Sequence, residues 1–309
     1  MTYLLETNHL TKTIKDKDLV SNINLHVKKG EIYGFLGPNG AGKTTIMKMI
    51  MNFWKPTSGD IELFGEILTP SSYKVLKRIG SIIEFPTFFD HLSGKENLKL
   101  HCEYMGYYQP GSIDEALDML SLTSAADKTV KNYSLGMKQR LGIARAILCK
   151  PEFLILDEPA NGLDPSGIKQ TRDLFHMLNS KYHTTILISS HILSEIESIA
   201  DTVGIISHGQ LKKEISMKEI SDINTEYIEL SVENTKKAAY ILSDRLAFTN
   251  FKIIDEHNIR IYETKVPIQE ITKTLATNDI TFYSINKKSE SLEDFFLKTT
   301  MEGEKQWEN

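Results

Sequence analysis

The sequence is poor in cysteine, in long apolar runs and in excess positive charge, and each shortage excludes a class of protein. Its 309 residues include two cysteines, Cys102 and Cys149, neither of which belongs to a C-x-x-C pair. Two isolated cysteines are typical of reduced cytosolic thiols rather than of a disulfide framework. There are 36 Lys and Arg against 41 Asp and Glu, a net charge of −5, so we expect no nucleic-acid partner.

No stretch of the sequence predicts a membrane-spanning helix, which needs about 20 predominantly apolar residues. The run Phe153–Leu156 is too short, and Ile46–Phe53 is interrupted by Lys48 and Asn52. The first six residues have neither a basic start nor a long apolar stretch, so we expect no signal peptide and a cytosolic protein.

Apolar strands alternate with helices over the first two thirds of the chain. The strands are predicted at Glu31–Leu36, Phe153–Leu156, Thr185–Ser190 and Val203–Ser207, and the helices at Thr44–Phe53, Ser166–Tyr182 and Ile192–Ala200. This alternation favours an α/β domain, residues 1–220, with a mostly parallel sheet flanked by helices.

The pattern changes after about residue 222. Strands are predicted at Tyr227–Val232, Phe251–Ile254, Asn258–Tyr262 and Ile280–Ile285, and helices at Lys236–Leu246 and Val266–Thr277. This β-α-β-β-α-β order predicts a small split-βαβ domain of the α+β class over residues 221–309.

A glycine-rich segment follows the first predicted strand. It reads Gly37, Pro38, Asn39, Gly40, Ala41, Gly42, Lys43, Thr44 and Thr45, and fits G-x-x-x-x-G-K-[ST]. Such a loop, opening a helix, wraps backbone N–H groups around phosphate oxygens. We expect Lys43 to reach the β- and γ-phosphates of a nucleotide and the Thr44 hydroxyl to hold Mg²⁺.

Two acidic residues, Asp157 and Glu158, follow the strand Phe153–Leu156. Ligands bind at the carboxyl ends of strands in open α/β sheets. We therefore expect one carboxylate to hold Mg²⁺ and its neighbour to orient or activate the attacking water.

Further motifs carry a resemblance to a known family. Tyr133–Arg140, Leu154–Pro159, Asn161–Pro165 and Ser189–His191 follow the phosphate loop in an order that resembles the ATPase subunits of ABC transporters. With Ile79–Pro86, the sequence is most similar to the ATPases of bacitracin-resistance and lantibiotic-immunity exporters. The resemblance covers roughly residues 3 to 220 and implies the ABC type of P-loop fold, with a helical signature subdomain.

The resemblance also implies roles for individual residues. Asp157 would hold Mg²⁺, Glu158 would be the catalytic base, His191 would touch the γ-phosphate, Asp164 would lie at a dimer interface, and Ser134 and Gly136 would bind the ATP of a second copy. Without the surrounding motifs, an ordinary helix N-cap is the alternative role for Ser134.

Glu84 stands where the family usually has glutamine. We expect it to be a native Mg²⁺ or water contact, although an exposed glutamate at a strand end is the alternative. Its charge would come close to Asp157 and Glu158, and clustered carboxylates repel unless a cation neutralises them.

Other positions also depart from the family pattern. Leu135 and Met137 replace the second Gly and the Gln of the commonest signature. Ile14 stands near the position of the aromatic that usually stacks on adenine, and it offers no π-face. ATP remains the favoured nucleotide.

The segment between Glu84 and Tyr133 carries many aromatics, and we expect Phe85–Phe89 to take part in coupling to a membrane partner. Ordinary core packing is the alternative for any single aromatic. In the last domain, Ser291–Lys298 resembles a tail of drug- and peptide-exporter ATPases, and the resemblance suggests dimerisation or regulation.

The sequence thus favours an ATP-hydrolysing motor subunit of an exporter of lantibiotics or other antimicrobial peptides. The resemblance implies permease subunits on separate chains, a second copy of the chain, and a place at the cytoplasmic face of a bacterial membrane. The alternative is a soluble ABC ATPase that acts without a permease.

Overall fold

The computed structural model of this chain describes residues 3–223, 226–264, 266–288, 292, 295 and 296. The chain divides into two compact units, Met1–Lys218 and Glu219–Asn309. No helix in the described ranges is both long and apolar enough to cross a membrane. Most of the tail motif at 291–298 lies outside the described residues.

The first unit alternates strands and helices. Its strands are β1 (Tyr3–Ile14), β2 (Lys17–Ile23), β3 (His26–Lys28), β4 (Ile32–Leu36), β5 (Ser58–Leu63), β6 (Glu66–Ile67), β7 (Ile79–Ile82), β8 (Phe153–Asp157), β9 (Thr185–Ser190), β10 (Thr202–Ser207) and β11 (Gln210–Ser216). Its helices are α1 (Lys43–Ile50), α2 (Tyr73–Leu76), α3 (Gly94–Met105), α4 (Ser112–Met119), α5 (Leu135–Ile147), α6 (Pro165–Tyr182) and α7 (Leu193–Glu197), and α8 (Met217–Ile223) spans the division.

The main sheet has the order β11-β10-β4-β9-β8-β7. All neighbours run parallel except β11, which is antiparallel to β10. The central strands β4, β8, β9 and β10 are buried along their whole length, as expected for strands covered on both faces. Because β4, β9, β8 and β7 are consecutive and parallel, the loops that follow them meet at one edge of the sheet.

A second, antiparallel sheet has the order β2-β1-β5-β6, with β3 also paired to β1. The sequence did not predict this sheet. Register shifts interrupt β1 opposite each of its partners, and one lies between Leu10 and Lys12. Each bulge breaks the two-residue alternation by which a half-buried strand is predicted. The two sheets share a core with helix α1, whose Ile46, Met47 and Ile50 are buried.

The second unit contains β12 (Tyr227–Val232), α9 (Thr235–Leu246), β13 (Phe251–Ile253), β14 (Asn258–Ile261), α10 (Ile268–Thr277) and β15 (Phe282–Lys288). Its sheet order is β13-β14-β12-β15, and the pairs are antiparallel. The helices pack on this sheet through Leu242 and Leu275. The predicted fold class, α/β with a smaller α+β domain, is confirmed.

Some element boundaries differ from the prediction. Helix α7 ends at Glu197 rather than at Ala200, because the chain turns there to place Asp201 beside β4, where its carboxylate accepts the N–H of Ile32 at 2.8 Å. Strand β15 begins at Phe282 rather than at Ile280, whose N–H still closes the end of α10.

Candidate active site

The glycine-rich segment joins β4 to α1 in a conformation that requires glycine. Gly42 precedes the helix with φ +110°, a region that side-chain-bearing residues rarely adopt. A Cβ placed there would lie 2.5 Å from Val20 Cγ1. The loop surrounds a cavity of about 310 Å³, which Leu19 and Glu158 also line. That volume lies at the lower end of the range for small-molecule sites.

Lys43 is the first residue of α1, and its side chain is almost completely buried. Its Nζ donates to the carbonyl oxygen of Gly37 at 2.5 Å and to that of Pro38 at 3.3 Å. Glu158 Oε1 lies 3.3 Å from the same nitrogen. A buried ammonium held by loop carbonyls is in position to meet an anion inside the loop.

Asp157 is buried at the end of β8 and connects three other segments. Its Oδ2 accepts the Thr44 hydroxyl at 2.7 Å and the Glu84 N–H at 3.3 Å, and its Oδ1 accepts the Ser189 hydroxyl at 2.7 Å. Ser189 is its register partner on the adjacent parallel strand. The site therefore draws on β7, β8, β9 and α1 at once.

Glu158 has φ +48°, a strained conformation for a residue with a side chain. Its N–H donates to Ser189 Oγ at 2.9 Å, and its Oε2 lies 2.8 Å from Nδ1 of His191. Its Oε1 is buried and has no hydrogen-bond donor within the described part of the chain, although Lys43 is 3.3 Å away. A buried carboxylate oxygen with spare acceptor capacity suits a group that takes a proton from water.

Glu84 follows β7 with φ +60°. Its backbone and its side chain bond to two different residues. Its N–H reaches Asp157, whereas its Oε1 accepts a charged hydrogen bond from Lys48 at 2.6 Å. The negative charge expected beside Asp157 and Glu158 is thus paired with Lys48, a residue for which the sequence predicted no role. The Glu84 side chain is 58% exposed and that of Lys48 is 18% exposed.

The oxygen donors at this edge fit Mg²⁺. Thr44 Oγ1 and the Asp157 carboxylate touch each other beside the phosphate loop. Hard divalent cations prefer hydroxyl and carboxylate oxygens of this kind. The residues present therefore fit a nucleotide with its magnesium ion.

The signature residues lie on a different part of the surface. Ser134 caps α5 by accepting the N–H of Met137 at 3.2 Å, and it remains exposed. A Cβ at Gly136 would approach the Gly162 carbonyl oxygen to 3.0 Å, and Leu135 packs over Gly162. Asp164 is exposed and caps α6. None of these side chains is among the described residues that line the phosphate-loop cavity.

Gln139 connects the signature helix to the acidic loop. Its side chain is buried, and Nε2 donates to the Pro159 carbonyl oxygen at 3.0 Å. From the sequence alone, no individual role was predicted for Gln139, Ser189 or Lys48. Ser189 was recognisable in principle, because parallel neighbouring strands that both end in polar residues place those residues side by side.

The aromatic segment Phe85–Phe89 is exposed at Phe85 and Phe89 and half-buried at Phe88. Phe88 lies under the Arg145 guanidinium, 4.8 Å from the ring centre, and Arg145 also donates to the Thr87 carbonyl at 2.8 Å. A groove of about 270 Å³ runs past these residues and His101. Burial, with Arg145 nearby, lowers the pKa of His101 to about 4.

Ile14 ends β1 and is 40% exposed, beside a turn that leads to β2. Leu19, in β2, contributes apolar surface to the cavity wall. An apolar surface packs against any purine base equally, so the preference for ATP over other nucleotides stays a prediction.

Comparison with known proteins agrees with this geometry. Residues 20–161 match the ABC transporter family. The chain is 57% identical over 298 residues to an uncharacterized ABC transporter ATP-binding protein of Bacillus subtilis (strain 168), covering 96% of this chain and 97% of that protein. It is 43% identical over 298 residues to the bacitracin transport ATP-binding protein of Bacillus licheniformis, again covering 96% of this chain and 97% of the relative.

A solved structure of the ATP-binding subunit of an ABC transporter is 28% identical and superposes with a TM-score of 0.65, covering 71% of this chain and 92% of its own. The fold, the phosphate loop and the relatives that match nearly the full length all indicate the same family. The chain belongs to the ATP-binding proteins of ABC transporters, the ATPase subunits that drive transport.

Proposed function

We propose that this ATPase subunit uses Mg²⁺ and ATP to drive export of a peptide antibiotic, a lantibiotic or a compound of the bacitracin type. The observation that carries the chemical part is the contact of Glu158 with both Lys43 and His191, beside the Thr44–Asp157 pair. The substrate class rests on the motif resemblance and on the Bacillus licheniformis relative, whose name specifies bacitracin transport.

Each residue has a distinct part in hydrolysis. Lys43, now bonded to loop carbonyls, would exchange them for β- and γ-phosphate oxygens. Thr44 and Asp157 would hold Mg²⁺, which when bound neutralises charge on the phosphates. Glu158 would accept the proton of the attacking water at Oε1, while His191 fixes Oε2 and faces the γ-phosphate. Ser189 would hold both acids in register.

Glu84 is proposed as a further Mg²⁺ or water contact. Its N–H already reaches Asp157, so its carboxylate needs only a change of side-chain torsions to approach the metal. Glu84 would then supply a charged ligand where the family usually has a neutral amide. The alternative is that Glu84 remains an exposed partner of Lys48 throughout the cycle.

A second copy of the chain would complete the site. Ser134 and Gly136 would bind the nucleotide of the partner copy, and Asp164 would lie at the shared interface. Support comes from their position, since Ser134 and Asp164 are exposed and do not line the cavity of their own chain among its described residues. Two copies would thus enclose two ATP molecules head to tail.

Permease subunits on separate chains would supply the membrane path. The groove beside Phe88, Phe89 and Tyr104 offers exposed aromatic surface to a short helix of such a subunit. Binding there would place this chain at the cytoplasmic face of a bacterial membrane. The second unit is proposed to serve dimerisation or regulation.

The test is resistance of a sensitive host that expresses this chain with its neighbouring permease genes. We expect protection against one member of a panel of lantibiotics and bacitracin, and loss of that protection in Glu158→Gln. Glu197→Gln, an exposed glutamate in the same unit, serves as the matched control and is expected to protect fully. No protection by the wild type, despite ATP hydrolysis by the purified protein, would overturn the proposed substrate class.

A further inference from the structure

The ion pair between Lys48 and Glu84 joins the phosphate-loop helix to the loop after β7. Lys48 Nζ lies 2.6 Å from Glu84 Oε1. Lys48 follows Thr44 by four residues on α1, and residues at this spacing lie on the same face of a helix. The lysine therefore stands one turn beyond the hydroxyl that fits Mg²⁺, on the same side.

The surroundings of Lys48 favour a fixed ammonium. Its Nζ lies 4.9 Å from the ring centre of Trp54, a cation–π contact, and only 18% of the side chain is exposed. Lys12 approaches the same ring at 5.9 Å, but it donates to the Lys55 carbonyl rather than to a carboxylate. Lys48 is thus the cation over Trp54 that engages Glu84.

Glu84 is held by its backbone on one side and by an exposed ion pair on the other. Its backbone N–H is bonded to Asp157, which keeps the residue beside the metal-binding oxygens. Its carboxylate, in contrast, is more than half exposed and bonded to Lys48. The backbone therefore stays in place whichever cation the carboxylate meets.

We propose that Lys48 is a positioning residue that competes with Mg²⁺ for the Glu84 carboxylate. This inference rests on the proposed role of Glu84 as a metal contact. Without Mg²⁺, Lys48 neutralises Glu84 and holds its side chain away from Asp157, which limits repulsion between the two acids. To hold Mg²⁺ together with Thr44 and Asp157, Glu84 would have to give up its bond to Lys48.

The competition has a measurable consequence. Mg²⁺ can bind Glu84 only if the Lys48–Glu84 pair breaks, and this requirement opposes metal binding. A variant that lacks the pair should therefore bind Mg²⁺ at a lower concentration. A neutral glutamine at position 84 forms no ion pair with Lys48, so replacing Lys48 in that background should leave the Mg²⁺ dependence unchanged. The coupling between the two positions, and not either single effect, identifies the competition.

The experiment measures binding of a fluorescent trinitrophenyl ATP by the full-length protein as Mg²⁺ is titrated. The variants are Lys48→Met, Glu84→Gln and the double substitution. We expect Lys48→Met to lower the half-saturating Mg²⁺ concentration by about threefold to fivefold, the size expected for a partly exposed ion pair. In the Glu84→Gln background the same substitution is expected to leave it unchanged.

Two controls distinguish the effect of losing the Lys48–Glu84 pair from a general effect of charge and from an effect on folding. Lys12→Met removes a charge from the same Trp54 ring without touching a carboxylate, and is expected to leave the Mg²⁺ dependence unchanged. Lys48→Arg keeps the charge and is expected to restore the wild-type dependence.

The competition is contradicted by equal shifts of Lys48→Met in both backgrounds, by no shift at all, or by a shift to higher Mg²⁺. If the wild type binds nucleotide in a Mg²⁺-dependent way, each of these results disproves only the proposed role of Lys48. Failure of the wild type to bind nucleotide in a Mg²⁺-dependent way would instead remove the proposed metal contact of Glu84, on which the competition rests.

Discussion

The two units of the chain differ in what they bury. The first unit buries charged and polar side chains where neighbouring strands end, among them Lys43, Asp157 and Ser189. In the second unit, Thr235 is the one buried polar residue among those that the structure describes, and the core is built from residues such as Leu242. Buried polar groups cost free energy unless they are bonded. Lys43, Asp157 and Ser189 are bonded beside the phosphate loop of the first unit, whereas the second unit is stabilised by apolar packing.

The largest expected effect concerns the apolar core of the second unit. Leu242→Ala creates a cavity in that core and is expected to lower the free energy of unfolding of this unit by about 2–5 kcal/mol. Urea denaturation of the full chain, followed together with ATP hydrolysis, is the measurement. Hydrolysis should be unchanged in the absence of denaturant.

Tyr240→Ala, at an exposed position of the same helix, is the matched control and should leave stability unchanged. A loss of hydrolysis in folded Leu242→Ala protein would show instead that the second unit takes part in the chemistry.

A smaller effect is expected at the polar edge of the first unit. Ser189→Ala removes the hydroxyl that donates to Asp157 and accepts the Glu158 N–H. Loss of a hydrogen bond to a charged group costs about 1.5–3 kcal/mol. We expect a lower melting temperature and slower ATP hydrolysis in the same variant.

Ser190→Ala tests whether that effect is specific. Ser190 is equally buried, but its hydroxyl bonds Glu195 and the N–H of Ile192 rather than the two acids. Its replacement should lower stability and leave hydrolysis much less affected. Equal loss of hydrolysis in both variants would show that the bonds of Ser189 to the two acids have no specific part in hydrolysis.

The smallest effect concerns His101, a partly buried base in the helical part of the first unit. Its pKa is lowered to about 4 from an ordinary value of 6.5, chiefly by burial and further by Arg145. Between these two values the unfolded chain binds a proton that the native chain does not, so stability falls as the pH is lowered from 6.5 towards 4.

Urea unfolding at about pH 7 and about pH 5 measures this contribution of His101 to the free energy of unfolding. His101→Gln is expected to lose less stability than the wild type on acidification, whereas His91→Gln, at an exposed position, should behave like the wild type. Identical pH dependence in wild type and His101→Gln would contradict the assignment.

The sequence predicted the parts of the fold that follow a regular period. Strands β4, β8 and β9 are continuous apolar runs, and the order of elements in the second unit follows the pattern after residue 222. The antiparallel sheet around β1 escaped prediction because its bulges interrupt the alternation of buried and exposed residues.

The candidate site was predictable where a motif fixes the backbone, as at Lys43 and Thr44. Lys48 was not, because its partner Glu84 lies 36 residues away in the chain and is brought near only by the packing of α1 against the loop after β7. Contacts of this kind depend on tertiary structure and leave no local signal in the sequence.

The most direct test of the proposed hydrolytic site is the rate of phosphate release by purified wild-type and Glu158→Gln protein at saturating Mg²⁺ and ATP. ATP binding is measured in parallel. If the polar edge of the first unit is the hydrolytic site and Glu158 its base, hydrolysis falls by about 10²–10⁴-fold while ATP remains bound. Hydrolysis by Glu158→Gln at the wild-type rate would contradict the account.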